Sequence, residues 1–180
     1  MFQNKKNNIV TILAFLLILF VFVINKNGGE NKEDFSIECN NSSPCIAIVI
    51  DDFGYINDHI VEGFLSINEK MTFAVIPGHL YSRQIAREAY SNGFEILLHM
   101  PMESHKDNLE KEPFIISSTM TRIDIEEKIK TAFLEIPEAV GMNNHQGSKF
   151  TEIDWAMETL APILKKNKKY FLDSRTSPNT

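Results

Sequence analysis

The run Ile46-Ala47-Ile48-Val49-Ile50 ends abruptly in Asp51-Asp52. An unbroken apolar stretch this short, with no alternation, predicts a strand buried on both faces, the kind found in parallel sheets. The rhythm then repeats. Residues 57–67 read as a helix with an apolar stripe at Ile60, Val61, Phe64 and Leu65. Residues 71–76 read as a second strand, stopped by Pro77-Gly78, and 81–90 as a helix closed by Asn92-Gly93. Residues 94–98 form the third predicted strand, and 100–120 show no periodicity and read as a long loop. Thr121 with Asp124 opens a helix to Glu135 in the manner of a capping box. A short fourth strand is expected at 139–142. Thr151 and Asp154 repeat the capping pattern before a helix to about Lys166, which Pro162 should bend. Tyr170-Phe171-Leu172 supplies a fifth strand.

Strands alternating with helices predict an α/β fold with a parallel sheet and right-handed crossovers. Such a sheet is either open or part of a barrel. The usual (β/α) barrel takes about eight strands, and no covering helix follows the fifth strand in this chain.

Active sites of parallel α/β folds collect at the C-terminal ends of the strands. Here those ends carry Asp51-Asp52, Pro77-Gly78-His79, His99, Asn143-Asn144-His145 and Asp173-Ser174-Arg175. Adjacent carboxylates behind a buried strand are costly unless solvated, paired or bound to a metal. Two imidazoles and one carboxylate leave open positions on a divalent ion, so Asp52, His99 and His145 are the candidate ligands. Asp51 is then free as a general base. Each residue also has a plainer role. Asp51-Asp52 can cap the next helix, a lone strand-end histidine is often only hydrogen-bonded, and Asp173 with Arg175 can form a structural ion pair. Their joint placement favours chemistry. His59, His79 and His105 read as surface or loop residues.

The remaining composition bounds the function. A net charge of -6 with scattered lysines argues against nucleic acid as a partner. No Gly-rich phosphate loop follows the first strand, and Ser148 lies outside any G-x-S-x-G elbow. Lys5 and Lys6 precede a nearly all-apolar run from Ile9 to Ile24 with no A-x-A site after it. That predicts a basic cytoplasmic segment at 1–8, a signal anchor spanning the membrane at 9–24, a polar linker at 25–45 and a folded domain at 46–180, outside the cytoplasm. Secretion after cleavage is the alternative. Cys39 and Cys45 are either a small disulfide loop or two unpaired thiols.

Four segments together resemble the divergent polysaccharide deacetylases, an envelope-associated branch of the carbohydrate esterase and deacetylase superfamily. They are Ile48-Val49-Ile50-Asp51-Asp52-Phe53-Gly54, Leu98-His99-Met100-Pro101-Met102-Glu103, Gly141-Met142-Asn143-Asn144-His145-Gln146-Gly147-Ser148, and Phe171-Leu172-Asp173-Ser174-Arg175-Thr176-Ser177. The resemblance implies an irregular (β/α) barrel of the glycoside hydrolase/deacetylase type, incomplete here because family members continue past the last motif. It implies a metal-dependent hydrolase removing acetyl groups from an envelope polysaccharide, with Asp51 as base and Asp52 as ligand. The superfamily's second motif places another histidine where this chain has Glu103, so the third ligand falls to His145 first and Glu103 second. Asp173 and Arg175 join Asp51 as candidate catalytic residues, and Asn144 and Glu103 as substrate contacts, with Asn144 or Arg175 steadying an oxyanion. The expected cofactor is a divalent metal, zinc by the donor chemistry. The expected partners are polysaccharide, the membrane and a protein covering the open sheet edge. The alternative function is a catalytically inactive envelope protein that uses the same fold to bind glycan or protein.

Overall fold

The structure is a computed structural model that describes residues 45–106 and 112–180. These lie within one compact unit, Cys39–Thr180. Five strands form one sheet in the order β1-β2-β3-β4-β5. They are β1 Val49–Phe53, β2 Thr72–Val75, β3 Glu95–Met102, β4 Gly141–Gln146 and β5 Tyr170–Leu172. Every neighbouring pair is parallel. The intervening helices are α1 His59–Leu65, α2 Ser82–Ser91, α3 Arg122–Glu135 and α4 Asp154–Lys166. A consecutive all-parallel order is what part of an irregular (β/α) barrel would show. Among the described residues, nothing pairs with the outer edge of β1 or β5.

One face of the sheet and the helices share the core. Phe73 and Val75 of β2, Ile96, Leu98, Met100 and Met102 of β3, and Met142 of β4 pack with Ile85 and Ala89 of α2, Ile125 and Ile129 of α3, and Leu160 of α4. Side chains alternate along a strand, so the residues between these face the other way. That alternation places the candidate site.

The strand bounds differ from the sequence expectation in two informative places. β3 runs on through Met102, because Met100 and Met102 continue the period-two core face that His99 and Pro101 hide. Pro101 lies beyond the last β2 pairing, Val75–Leu98, and there its carbonyl accepts from the Ile116 N–H, so its missing N–H breaks no bond to β2. β4 starts later and runs to Gln146, with Asn143, Asn144 and His145 inside the strand. The capping box at Thr121 and Asp124 forms. The matching pattern at Thr151 does not, since the Thr151 hydroxyl donates to the Gly147 carbonyl and α4 starts behind Ile153 without a side-chain cap.

The expected membrane-spanning segment is corrected here. No helix among the described residues is long and apolar enough to cross a membrane. The longest has 14 residues and a polar face, against about 20 apolar residues for a span. The run at 9–24 lies outside the described residues. Membrane partnership, the signal-anchor reading and a location outside the cytoplasm all rested on that run, and the fold supports none of them. Cys45 is disulfide-bonded, and its expected partner Cys39 is also outside the described residues.

Candidate metal centre

The site begins with a bulge. β1 and β2 pair in register at Ile50–Phe73 and again at Phe53–Val75, leaving one extra residue on β1 at Asp51-Asp52. Bulges re-aim side chains beside active sites. Asp52 takes the left-handed region at φ 68, which Asp tolerates better than most residues. Phe53 then locks the turn, stacked on Phe73 at 4.4 Å and edge-on to Phe64 at 5.7 Å. Plain alternation would send Asp51 and Asp52 to opposite faces. The bulge instead lets both reach the same network.

Across the sheet, His99 pairs in register with Asn143, and Pro101 with His145. Their neighbours Leu98, Met100 and Met142 fill the helix-side core. His99, Asn143 and His145 therefore share the other face, where the Asp51–Asp52 bulge also points.

The hydrogen bonds fix a definite arrangement. The Asp51 carboxylate accepts from the Asn143 amide nitrogen at 2.9 Å. A carboxylate takes only a donor there, so the Asn143 amide oxygen must face His99 Nδ1, 2.8 Å away. His99 Nδ1 therefore carries a proton, and in the neutral ring Nε2 is a bare lone pair. That lone pair faces Asp52 Oδ1 at 3.2 Å. His145 Nδ1 reaches the same oxygen at 2.9 Å. Two acceptors in contact need a cation between them, either a second proton on His99 or a metal ion. The two imidazole rings sit edge to face with centroids 5.0 Å apart. The contacts to His145 and then His99 hold the Asp52 carboxyl well below the usual carboxylate range, outweighing its partial burial.

A metal ion fits these donors. Asp52, His99 and His145 offer ligand atoms all within 4.8 Å of one another. Two ligands on one tetrahedral zinc stand about 3.3 Å apart, given bonds of about 2 Å. The separations from Asp52 Oδ1 are already near that value. Asn143 has the role an outer partner plays in metal sites, holding the histidine tautomer and ring orientation. Replacing Asn143 with alanine is expected to weaken zinc binding about 10- to 100-fold, measured by competition with a chromophoric chelator. Unchanged affinity would show that the tautomer needs no such lock.

The structure separates the other predicted residues. Glu103 stands apart from the Asp52–His99–His145 group. Its carboxylate accepts from Ser118 N at 2.8 Å and Lys149 Nζ at 2.6 Å. Burial alone would raise its pKa, but those partners lower it. Asn144 turns to the opposite side from Asn143. It accepts from Ser174 N at 2.8 Å and donates to the Gln146 carbonyl at 2.7 Å, bracing the exit of β5. Asp173 makes no ion pair with Arg175. It accepts from the Arg175 backbone N–H at 2.8 Å and from the Thr180 hydroxyl at 2.7 Å, and the Arg175 side chain is exposed. Asn143 was missed by sequence reasoning as a site residue. Its signal was its position two residues before His145, on the same strand face.

A family profile of the divergent polysaccharide deacetylases matches residues 48–180. The chain belongs to that family. It is 39% identical over 136 residues to the uncharacterized protein YibQ of Escherichia coli K12, covering 75% of this chain and 42% of that one. It is 35% identical over 133 residues to an uncharacterized Haemophilus influenzae protein, covering 73% of this chain and 46% of the relative. The chain thus spans less than half the length of these curated relatives. The crystal structure of uncharacterized protein ATU2773 from Agrobacterium tumefaciens C58 shares the fold, with a TM-score of 0.63 and 19% identity over 74% of this chain and 55% of that one. What these findings establish is a deacetylase-family fold that carries a candidate divalent-metal triad.

Proposed function

We propose that this chain binds a divalent ion, zinc by its donor set, through Asp52, His99 and His145, and that the surrounding face takes acetylated polysaccharide. The observation that carries this reading is the convergence of His99 Nε2 and His145 Nδ1 on one Asp52 oxygen, with the His99 tautomer set through Asn143. Imidazole and carboxylate donors suit zinc. When bound, such an ion supplies Lewis acidity toward an acetyl carbonyl and makes a water molecule more acidic.

Binding without turnover is the better supported use of this face. Hydrolysis needs a hydrogen-bond donor aimed at the developing oxyanion. Of the two expected donors, Asn144 is committed to the β5 exit, and the exposed Arg175 guanidinium is aimed at the centre by no hydrogen bond among the described residues. The expected substrate contact Glu103 is committed to Ser118 and Lys149. The exposed Arg175 is available to glycan hydroxyls. Hydrolysis is the second reading, favoured by Asp51. Asn143 holds one of its oxygens, and the other has no partner among the described residues, as a general base requires.

Zinc-loaded protein incubated with an acetylated chitooligosaccharide separates the two. Saccharide binding with no acetate released supports the binding role. Acetate release that disappears in Asp51→Asn would move the assignment to hydrolysis. Neither binding nor release would contradict both.

A further inference from the structure

Beside the metal centre, residues 112–116 cross the exits of β2 and β3 as a strap. Gly78 lies beneath them, and a Cβ there would meet Phe114 ring carbons at 2.7 and 2.9 Å and Pro113 Cβ at 2.9 Å. Ile116 forms a parallel bridge to Met102. Glu112 ties the strap to the strand ends, one carboxylate oxygen 2.7 Å from His79 Nε2 and the other accepting from the Tyr55 hydroxyl at 2.8 Å. The Tyr55 and His79 rings pack with centroids 4.1 Å apart at 47°.

Tyr55 follows Asp52 by three residues and leaves β1 at the same end of the sheet. Burial and the Glu112 carboxylate push its phenol pKa up, and the Asp52 carboxylate is close enough to add to the effect. A residue serving only to clamp the strap needs its hydroxyl and gains nothing from an open ring. Yet Tyr55 is 40% exposed while its hydroxyl donates to Glu112. The residue is thus partly open to solvent while His79 packs on its ring and Glu112 holds its hydroxyl, so little further side-chain freedom is lost on contact. An aromatic face carries partial negative charge. The axial C–H hydrogens of a pyranose carry partial positive charge and form a flat apolar patch of similar size.

We propose that the Tyr55 ring, braced by His79 and Glu112, is the platform on which a pyranose of an acetylated glycan stacks beside the Asp52–His99–His145 centre. The class of ligand rests on the function proposed above. The platform itself rests on the geometry of Tyr55, His79 and Glu112.

The test titrates tetra-N-acetylchitotetraose into the zinc-treated full chain and its Tyr55→Phe and Tyr55→Ala variants by calorimetry, with metal content measured on each. Tyr55→Phe keeps the ring and its His79 contact but loses the Glu112 brace, and is expected to lose about threefold, while Tyr55→Ala loses about tenfold. Metal content should be the same in all three, which also reports an intact fold. The platform is overturned if the unaltered chain does not bind the saccharide, if Tyr55→Ala binds as well as it does, or if Tyr55→Phe loses as much as Tyr55→Ala. The last result would assign Tyr55 to the strap alone. If none of the three holds metal but the saccharide pattern is as expected, the platform stands and the metal reading falls.

Discussion

Alanine at Gly54 is expected to lower the unfolding free energy by about 2–4 kcal/mol and to disturb the metal centre with it. Gly54 has φ +127, a conformation that an L side chain adopts only with strain. A Cβ there would stand 2.8 Å from the Ile76 carbonyl oxygen and 2.8 Å from Ser82 Oγ. Neither atom can readily withdraw. The Ser82 hydroxyl donates to that same carbonyl at 2.5 Å and accepts from His79 N at 3.0 Å. The Gly54 carbonyl accepts from Tyr81 N at 3.1 Å. Gly54 thus joins the exits of β1 and β2 to the start of α2. Relieving the clash means moving the β1 exit, which carries Asp51 and Asp52. Urea unfolding should show a lower midpoint at an unchanged slope, and zinc affinity should fall in the same variant. A midpoint equal to that of the unaltered chain would mean that the hub yields easily.

Alanine at Asp52 is expected to cost zinc affinity more than a hundredfold, since one of three ligands and its charge are lost. Asp52 Oδ1 is the atom on which both imidazoles converge. Without it, two neutral nitrogens remain, too few for a firm site. Competition with a chelator of known affinity measures the loss, and binding within tenfold of the unaltered chain would place the ion elsewhere. A smaller effect on stability accompanies it. The folded Asp52 pKa lies below its unfolded value. Its contribution is therefore present above about pH 3.9, the ordinary carboxyl value, and is lost as the pH falls toward the folded value. The side chain is 61% exposed, so solvent screens that contribution. Metal affinity is the larger readout.

The parts of the molecule that were legible in the sequence are those where hydrophobic pattern and chemistry agree. Five apolar segments announced five strands, and carboxylates and imidazoles behind them pointed to Asp51, Asp52, His99 and His145. The pattern was obscured where a strand carries the site itself. In β4, Asn143 and His145 face the candidate centre and Asn144 braces β5, so no apolar run marks the strand beyond Met142. In β3, His99 and Pro101 mask the alternation that Met100 and Met102 continue. The bulge at Asp51-Asp52 left no local signal, because it arises from pairing with β2. Two similar capping patterns met different fates. Thr121 has a free helix start above it, whereas the Thr151 hydroxyl is drawn to the Gly147 carbonyl. Glu103 looked like a ligand by its place in a motif, but its partners Ser118 and Lys149 arrive from segments far away in sequence.

Zinc content by elemental analysis, on the full chain and on the Asp52→Ala, His99→Ala double variant after exposure to zinc and desalting, tests the centre most directly. About one zinc per chain, absent from the double variant, is the expected result. A folded, unaltered chain that retains no zinc, or a double variant that retains as much, would contradict it.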